Sequence, residues 1–212
     1  VASTKAFTTQ LSALGLFTLL MAKIKGSLSS EQISEYVKQL KQTRALILGA
    51  LNLDSQIADV SDYFSDKEHT LYLGRGLYYP IAVEGALKLK EISYIHAEAY
   101  PSGELKHGPL ALVDKNMPIV SIIPNDSLID KTLSNLQEVH ARGGKLILFV
   151  DKAIRHRVDF DNSIVFELEA GGDFSAPIVF TIPLQLLSYH VAIIKGTDVD
   201  QPRNLAKSVT VE

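Results

Sequence analysis

The sequence predicts an α/β fold: a doubly wound parallel sheet with helices on both faces, preceded by an N-terminal helical segment. Three observations predict it. The runs 70–73, 117–123, 145–150 and 163–168 are apolar almost throughout instead of alternating, as strands buried on both faces are. Helical stretches separate them, which supplies the right-handed crossovers that parallel strands need. Three further helical stretches come before any strand.

Each element has its own signals. Residues 5–24 read as one buried helix, with Ser3 or Thr4 to cap its start and Gly26 to end it. This stretch is rich in Leu, Ala and Phe, but Lys5, Thr8, Thr9, Gln10, Ser12 and Lys23 flank or interrupt it. A membrane span wants about 20 mostly apolar residues, and no basic leader with a cleavage site is present, so no membrane is expected. The pattern is already under way at Val1, which is expected of a piece of a longer chain. Ser29 and Ser30 open a helix over 31–50, and Asp54 is placed to cap one over 55–64. The strand 70–73 runs into Gly74-Arg75-Gly76 and a helix over 79–94 with Pro80 in its first turn. Residues 96–109 read as a turn-rich loop. Pro124-Asn125-Asp126 stops the second strand, a helix follows over 127–141, and Gly143-Gly144 ends it. A long apolar helix, 177–194, precedes a polar tail. Ligands of such sheets sit at the carboxyl ends of the strands, which points to 74–76, 124–126 and Asp151.

Composition excludes several functions. At 212 residues, 46% apolar and 21% charged, the chain suits one large domain or a domain with a piece of another. A net charge of -3 and a pI near 6.1 leave no basic stripe for nucleic acid. With no cysteine, disulfides, thiolate metal sites and cysteine nucleophiles are ruled out within the chain, and a reducing, cytoplasmic setting fits. The histidines at 69, 96, 107, 140, 156 and 190 form no paired helix motif, so no metal site is expected. Neither a dinucleotide fingerprint, a Walker A loop nor a nucleophile elbow occurs.

Three features could carry chemistry. Glu84, Lys88 and Glu91 are spaced i, i+4, i+7, so they share one helical face. They are either a solvated face with helix-stabilising pairs or a general base held beside a lysine, as an enolising isomerase needs. His107, before Gly108-Pro109, is either a surface histidine or a proton donor and acceptor near neutral pH. The tail is either a frayed terminus or a flap whose lysine could attack a ketone.

The literal strings narrow these choices. Leu73-Gly74-Arg75-Gly76 with Ala86-Leu87-Lys88-Leu89-Lys90-Glu91-Ile92-Ser93-Tyr94 resembles the sugar isomerase (SIS) fold family. Gly103-Glu104-Leu105-Lys106-His107-Gly108-Pro109 resembles its aminotransferase branch. The opening Val1-Ala2-Ser3-Thr4-Lys5 and the whole ending from Asp198 to Glu212 are similar to the glutamine–fructose-6-phosphate aminotransferase family. That resemblance implies an SIS fold and amino sugar biosynthesis. In this family a glutaminase domain of the same full-length chain supplies ammonia, and two tandem SIS domains turn fructose 6-phosphate into glucosamine 6-phosphate. It also implies a homodimer and no organic cofactor. Residues 1–67 would be the helical remainder of the first SIS domain with connecting helices, 68–195 the second SIS domain, and 196–212 a tail closing the sugar site.

By matching positions, the resemblance implies that Glu91 is the proton-shuttling base, supported by Lys88 and Glu84. His107 would open the sugar ring in a neighbouring subunit. Lys207 would join the open-chain ketose, and Val1 and Ala206 would line the sugar through their backbones. The family's serine- and threonine-rich phosphate cradle and its glutaminase domain have no counterpart here, so the chain alone is expected to bind fructose 6-phosphate poorly and not to use glutamine. The competing readings are a deglycase of the same fold and a non-catalytic sugar-phosphate-binding or dimerisation module.

Overall fold

The computed structural model describes residues 2–203. The chain begins with three helices, α1 (Thr4–Lys25), α2 (Ser30–Leu51) and α3 (Asp54–Ser61), and continues as β1 (His69–Gly74), α4 (Tyr79–Ser93), β2 (His96–Pro101), β3 (Pro118–Ile123), α5 (Ile129–His140), β4 (Lys145–Asp151), β5 (Ile164–Leu168) and α6 (Ala176–Ile194). All strand pairs are parallel, in the order β2-β1-β3-β4-β5. The order reverses between β1 and β3, the switch point of a doubly wound sheet.

Alternate residues of each strand face opposite layers. Tyr72, Val120, Ile122, Ile147 and Phe149 meet α3, α4 and α6 in one core, which includes Ile57, Leu89, Phe180 and Leu184. Leu71, Ile119, Ile123, Leu146 and Leu148 meet α5 on the other face, together with Leu105 and Leu110 from the stretch between β2 and β3. Helices therefore cover both faces, as expected.

The departures are local. The stretch 96–109 is not all loop: His96–Pro101 forms the edge strand β2, in register with β1 from His69↔His96 to Gly74↔Pro101. Only its remainder is made of short 3-10 turns. Ser3 precedes α1 with φ 55 and makes no side-chain cap. Ser29, in contrast, forms a reciprocal capping box with Gln32. Asp54 lies inside the first turn of α3, and its carboxylate is 2.8 Å from His190 Nε2 on α6. The turn after β1 needs its glycine, because a Cβ on Gly74 would stand 2.3 Å from the Tyr78 carbonyl oxygen.

The expectation that α1 is buried is overturned. Only Leu19 of that helix is buried, while Leu14, Leu16, Phe17, Leu20 and Ile24 are exposed. The apolar pattern is real, but among the described residues little covers it. By length and composition both α1 and α6 could cross a membrane. The apolar face of α6, with Val179, Phe180, Leu184 and Leu187, instead fills the core.

Candidate active site

The helix α4 leaves β1 at the switch point and packs along α6. Its spacing of Glu84, Lys88 and Glu91 puts three charges on adjacent turns, and the fold buries them. Lys88 is 3% exposed and Glu84 8%, whereas the Glu91 side chain keeps 20%. The Lys88 ammonium stands 2.6 Å from Glu91 Oε2 and 3.7 Å from Glu84 Oε1, and donates to the carbonyl oxygen of Ala2. Buried charges persist only when paired and hydrogen-bonded. One lysine answers two carboxylates here, so the cluster holds an excess negative charge. Burial pushes the Glu84 carboxyl up, Lys88 draws it down, and the Glu91 charge pushes it up again. Glu91 is the member that water reaches most. The arrangement is thus a shielded carboxylate pair organised by an ammonium, and the solvated-face reading of the triplet fails.

Lys88 also lines a cleft of about 260 Å³, together with Ala2, Thr4, Gln185, Tyr189 and Asp200. Gln185 Nε2 donates to the Thr4 carbonyl at 3.2 Å, which ties the start of the chain to α6. The first residues of the tail close one side. Thr197 Oγ1 donates to the carbonyls of Ile92, at 2.5 Å, and Ala192, at 3.0 Å. Asp198 Oδ1 accepts from the backbone N–H groups of Asp200 and Gln201 at 2.9 Å. Arg203 N–H donates to the Tyr94 hydroxyl at 2.8 Å.

His107 is not brought to this cluster. Its segment packs through Leu105 on the opposite face of the sheet, its side chain is 75% exposed, and its nearest ionic partner is Glu104 at 4.0 Å. Val1, Ala206 and Lys207 lie outside the described residues. Among the described residues no group of three or more His, Asp or Glu is placed to hold a metal ion.

The expected location at the strand ends also needs correction. A crevice does open there, with Arg75 Nη1 donating to Asn135 Oδ1 at 2.9 Å. Asp151 there caps the following turn through Ala153 N–H. Yet Lys88 lies nine residues into α4, about 13 Å along the helix from its start, so the charged cluster is built against α6 rather than at the sheet edge. Sequence reasoning missed the Ala2 carbonyl, Gln185 and Tyr94. Gln185 left a signal, a lone amide in the long apolar helix. Tyr94 left none: it ends α4 with φ 64, where glycine is the usual residue.

The SIS domain family matches residues 63–195. The glutamine–fructose-6-phosphate aminotransferase (isomerizing) of Francisella tularensis is 80% identical over 100% of this chain, which covers 35% of that protein. Its counterpart in Pseudomonas putida is 57% identical over 100% of this chain and 34% of that protein. The chain thus spans about a third of the length of these relatives. The solved C-terminal domain of glucosamine-fructose-6-phosphate aminotransferase from Francisella tularensis superposes with a TM-score of 0.92 and 79% identity, over 93% of this chain and 55% of that one. Glucosamine-6-phosphate deaminase from Thermotoga maritima, with a TM-score of 0.64 and 24% identity over 94% of this chain and 56% of that one, shares the fold. With its five parallel strands, the domain match across 63–195 and its close likeness in sequence and fold to the solved aminotransferase domain of Francisella tularensis, the chain belongs to the SIS domain family.

Proposed function

We propose that this chain is the sugar-isomerising part of an enzyme that converts fructose 6-phosphate and glutamine to glucosamine 6-phosphate and glutamate. One observation carries the reading: the buried Glu84–Lys88–Glu91 cluster beside a cleft walled by the start of the chain, α6 and the tail. Isomerising a ketose derivative to an aldose requires a proton to leave one carbon and return to its neighbour through an enol-type intermediate. Glu91 is the candidate base, since it combines shielding with the most access to solvent of the three. Lys88 orients it, and Glu84 balances Lys88. A carboxylate so held contributes about 10²–10⁴ in rate.

Lys207 is assigned the amine that captures the open-chain ketose. Its Nζ adds to the C2 carbonyl, the oxygen leaves as water, and an imine remains. Val1 and Ala206 are assigned to the sugar-lining backbone. His107 is assigned to ring opening in a second copy, because its own face of the sheet is turned from the cluster; the enzyme is then a homodimer. Residues 1–67 are read as the helical remainder of a preceding SIS domain with connecting helices, a reading that the bare apolar face of α1 supports. A glutaminase domain and a phosphate cradle would lie in the two thirds of the relatives' length that this chain does not span.

The test is exchange of the sugar's C1 or C2 hydrogen with heavy water, using full-length enzyme and glucosamine 6-phosphate. Glu91→Gln should slow exchange by at least about a hundredfold with the fold intact, and the isolated chain should show none. Wild-type exchange in Glu91→Gln would remove the base assignment and favour the binding-module reading.

A further inference from the structure

A second set of charges stands at the carboxyl ends of the strands, against α5. Arg75 follows β1 directly at the switch point, where doubly wound sheets take their ligands. Its guanidinium is held from two sides. Nη1 donates to Asn135 Oδ1 at 2.9 Å, and a Cβ on Gly103 would stand 3.0 Å from that same nitrogen, so the glycine lets the turn after β2 approach it closely. Arg75, Gly103, Lys106, Asp130, Lys131 and Asn135 line a crevice of about 370 Å³. Its charges do not balance. Lys106 pairs with Glu138 at 2.9 Å, and Asp130 pairs with Arg157. Arg75 and Lys131 have no carboxylate partner among the described residues. Asn135 is 7% exposed. Arginine carries only donors, so its bond turns Oδ1 of Asn135 towards Arg75. That leaves the Nδ2 group, which donates to nothing among the described residues. A largely buried amide with idle donors is costly unless an acceptor meets it.

We propose that this crevice binds a phosphoryl group, with Arg75 as its anchor, the Asn135 amide as an oriented donor and Lys131 as the second cation. The charge count selects the ligand. Two unpaired cations call for a dianion, and a phosphate monoester carries about −1.5 to −2 near neutral pH with three acceptor oxygens. A single carboxylate would answer only one of them. The donors also fit. A guanidinium fixed at one nitrogen keeps its other N–H groups in a planar fork, which suits phosphate oxygens. Lys131 and Asn135 are spaced i, i+4 on α5, so they share the face that borders the crevice. Lys131 is exposed and supplies a mobile charge at the rim, while Asn135 is fixed below it. The ligand is small: a phosphorylated sugar or free phosphate, both of which present the same group.

The experiment reads the crevice at Arg75 itself. Phenylglyoxal labels accessible guanidinium groups, and the labelled Arg75 peptide of the full-length enzyme is followed by mass spectrometry. Inorganic phosphate should protect Arg75, whereas sodium chloride at equal ionic strength should not. Lys131→Gln, a change at an exposed position that keeps the fold, should raise the half-protecting phosphate concentration about fivefold, the share of a solvent-screened cation. Asn135→Leu should raise it at least about tenfold, because the lost donor is shielded and meets a charged acceptor. Should that variant fail to fold, Lys131→Gln decides by itself. Glucosamine 6-phosphate is titrated in parallel to separate the two sources. Half-protection at a concentration about tenfold lower than that of phosphate assigns the crevice to phosphorylated sugars; equal concentrations assign it to free phosphate. Equal protection by chloride, or wild-type half-protection in Lys131→Gln, overturns the proposal. So does an Arg75 that reacts only after dilution has separated subunits, since the crevice would then be the seat of a second copy.

Discussion

Lys88 decides the electrostatics of the cluster. It is the single cation between two carboxylates, is 3% exposed, and reaches Glu91 at 2.6 Å. Removing one partner of a buried pair leaves uncompensated charge and typically destabilises by about 3–5 kcal/mol. Lys88→Met should therefore lower stability by about 3 kcal/mol in urea unfolding. Adding Glu84→Gln and Glu91→Gln to it should recover most of that deficit, because the neutral triplet has no charge left to solvate. An unchanged midpoint in the single variant would mean that water, and not Lys88, balances the carboxylates. At this scale the sequence was half legible. The i, i+4, i+7 spacing disclosed the shared face, but its burial depends on Ala2, 86 positions away from Lys88, and on α6, which no local pattern reveals. The same limit hid Tyr94, whose partner Arg203 is 109 residues distant.

Elements show where packing overrules pattern. The parallel strands were readable because burial on both faces leaves continuous apolar runs. The edge strand β2 was not, since His96, Glu98 and Tyr100 alternate with alanines and Pro101 closes the strand. At the sheet edge, with β1 as its one neighbour, this strand carries polar residues that make it look like a loop. The caps follow the same logic: Ser29 is exposed and forms its capping box locally, whereas Asp54 is drawn to His190 across the helix pair. The tight packing of α4 on α6 turns on Gly85. A Cβ there would stand 2.8 Å from Leu184 Cδ1 and 2.9 Å from Tyr72 Cε1. Gly85→Ala gains about 0.5–1 kcal/mol of helix propensity but forfeits about 1–3 kcal/mol to overpacking. We expect a net destabilisation of about 1 kcal/mol and a lower melting temperature by calorimetry. A rise in melting temperature would mean that α6 can yield at Leu184 without strain.

The molecule as a whole sorts its candidate groups onto different surfaces. The charged cluster lies in the layer of α4 and α6, while His107 stands exposed on the α5 side of the sheet. If His107 serves a second copy, inactive enzymes should rescue one another. Mixing full-length Glu91→Gln with His107→Asn and allowing the subunits to exchange should restore about a quarter of wild-type activity, since half of random dimers are hybrids and each hybrid has one intact site. No recovery, with subunit exchange confirmed by mass, would place His107 in the site of its own subunit; full activity in His107→Asn alone would place it outside the reaction. The bonds that close the cleft have a temporal meaning too. Arg203 reaches Tyr94 and Gln185 reaches Thr4 across long stretches of the described chain. During synthesis at about 10 residues per second, α4 emerges on the order of 10 s before Arg203 does. Until then the ribosome carries a helix with its carboxylates in place and one wall of the cleft unmade. The cleft is thus completed well after the charged helix beside it, when the stretch from Thr197 to Arg203 takes its place.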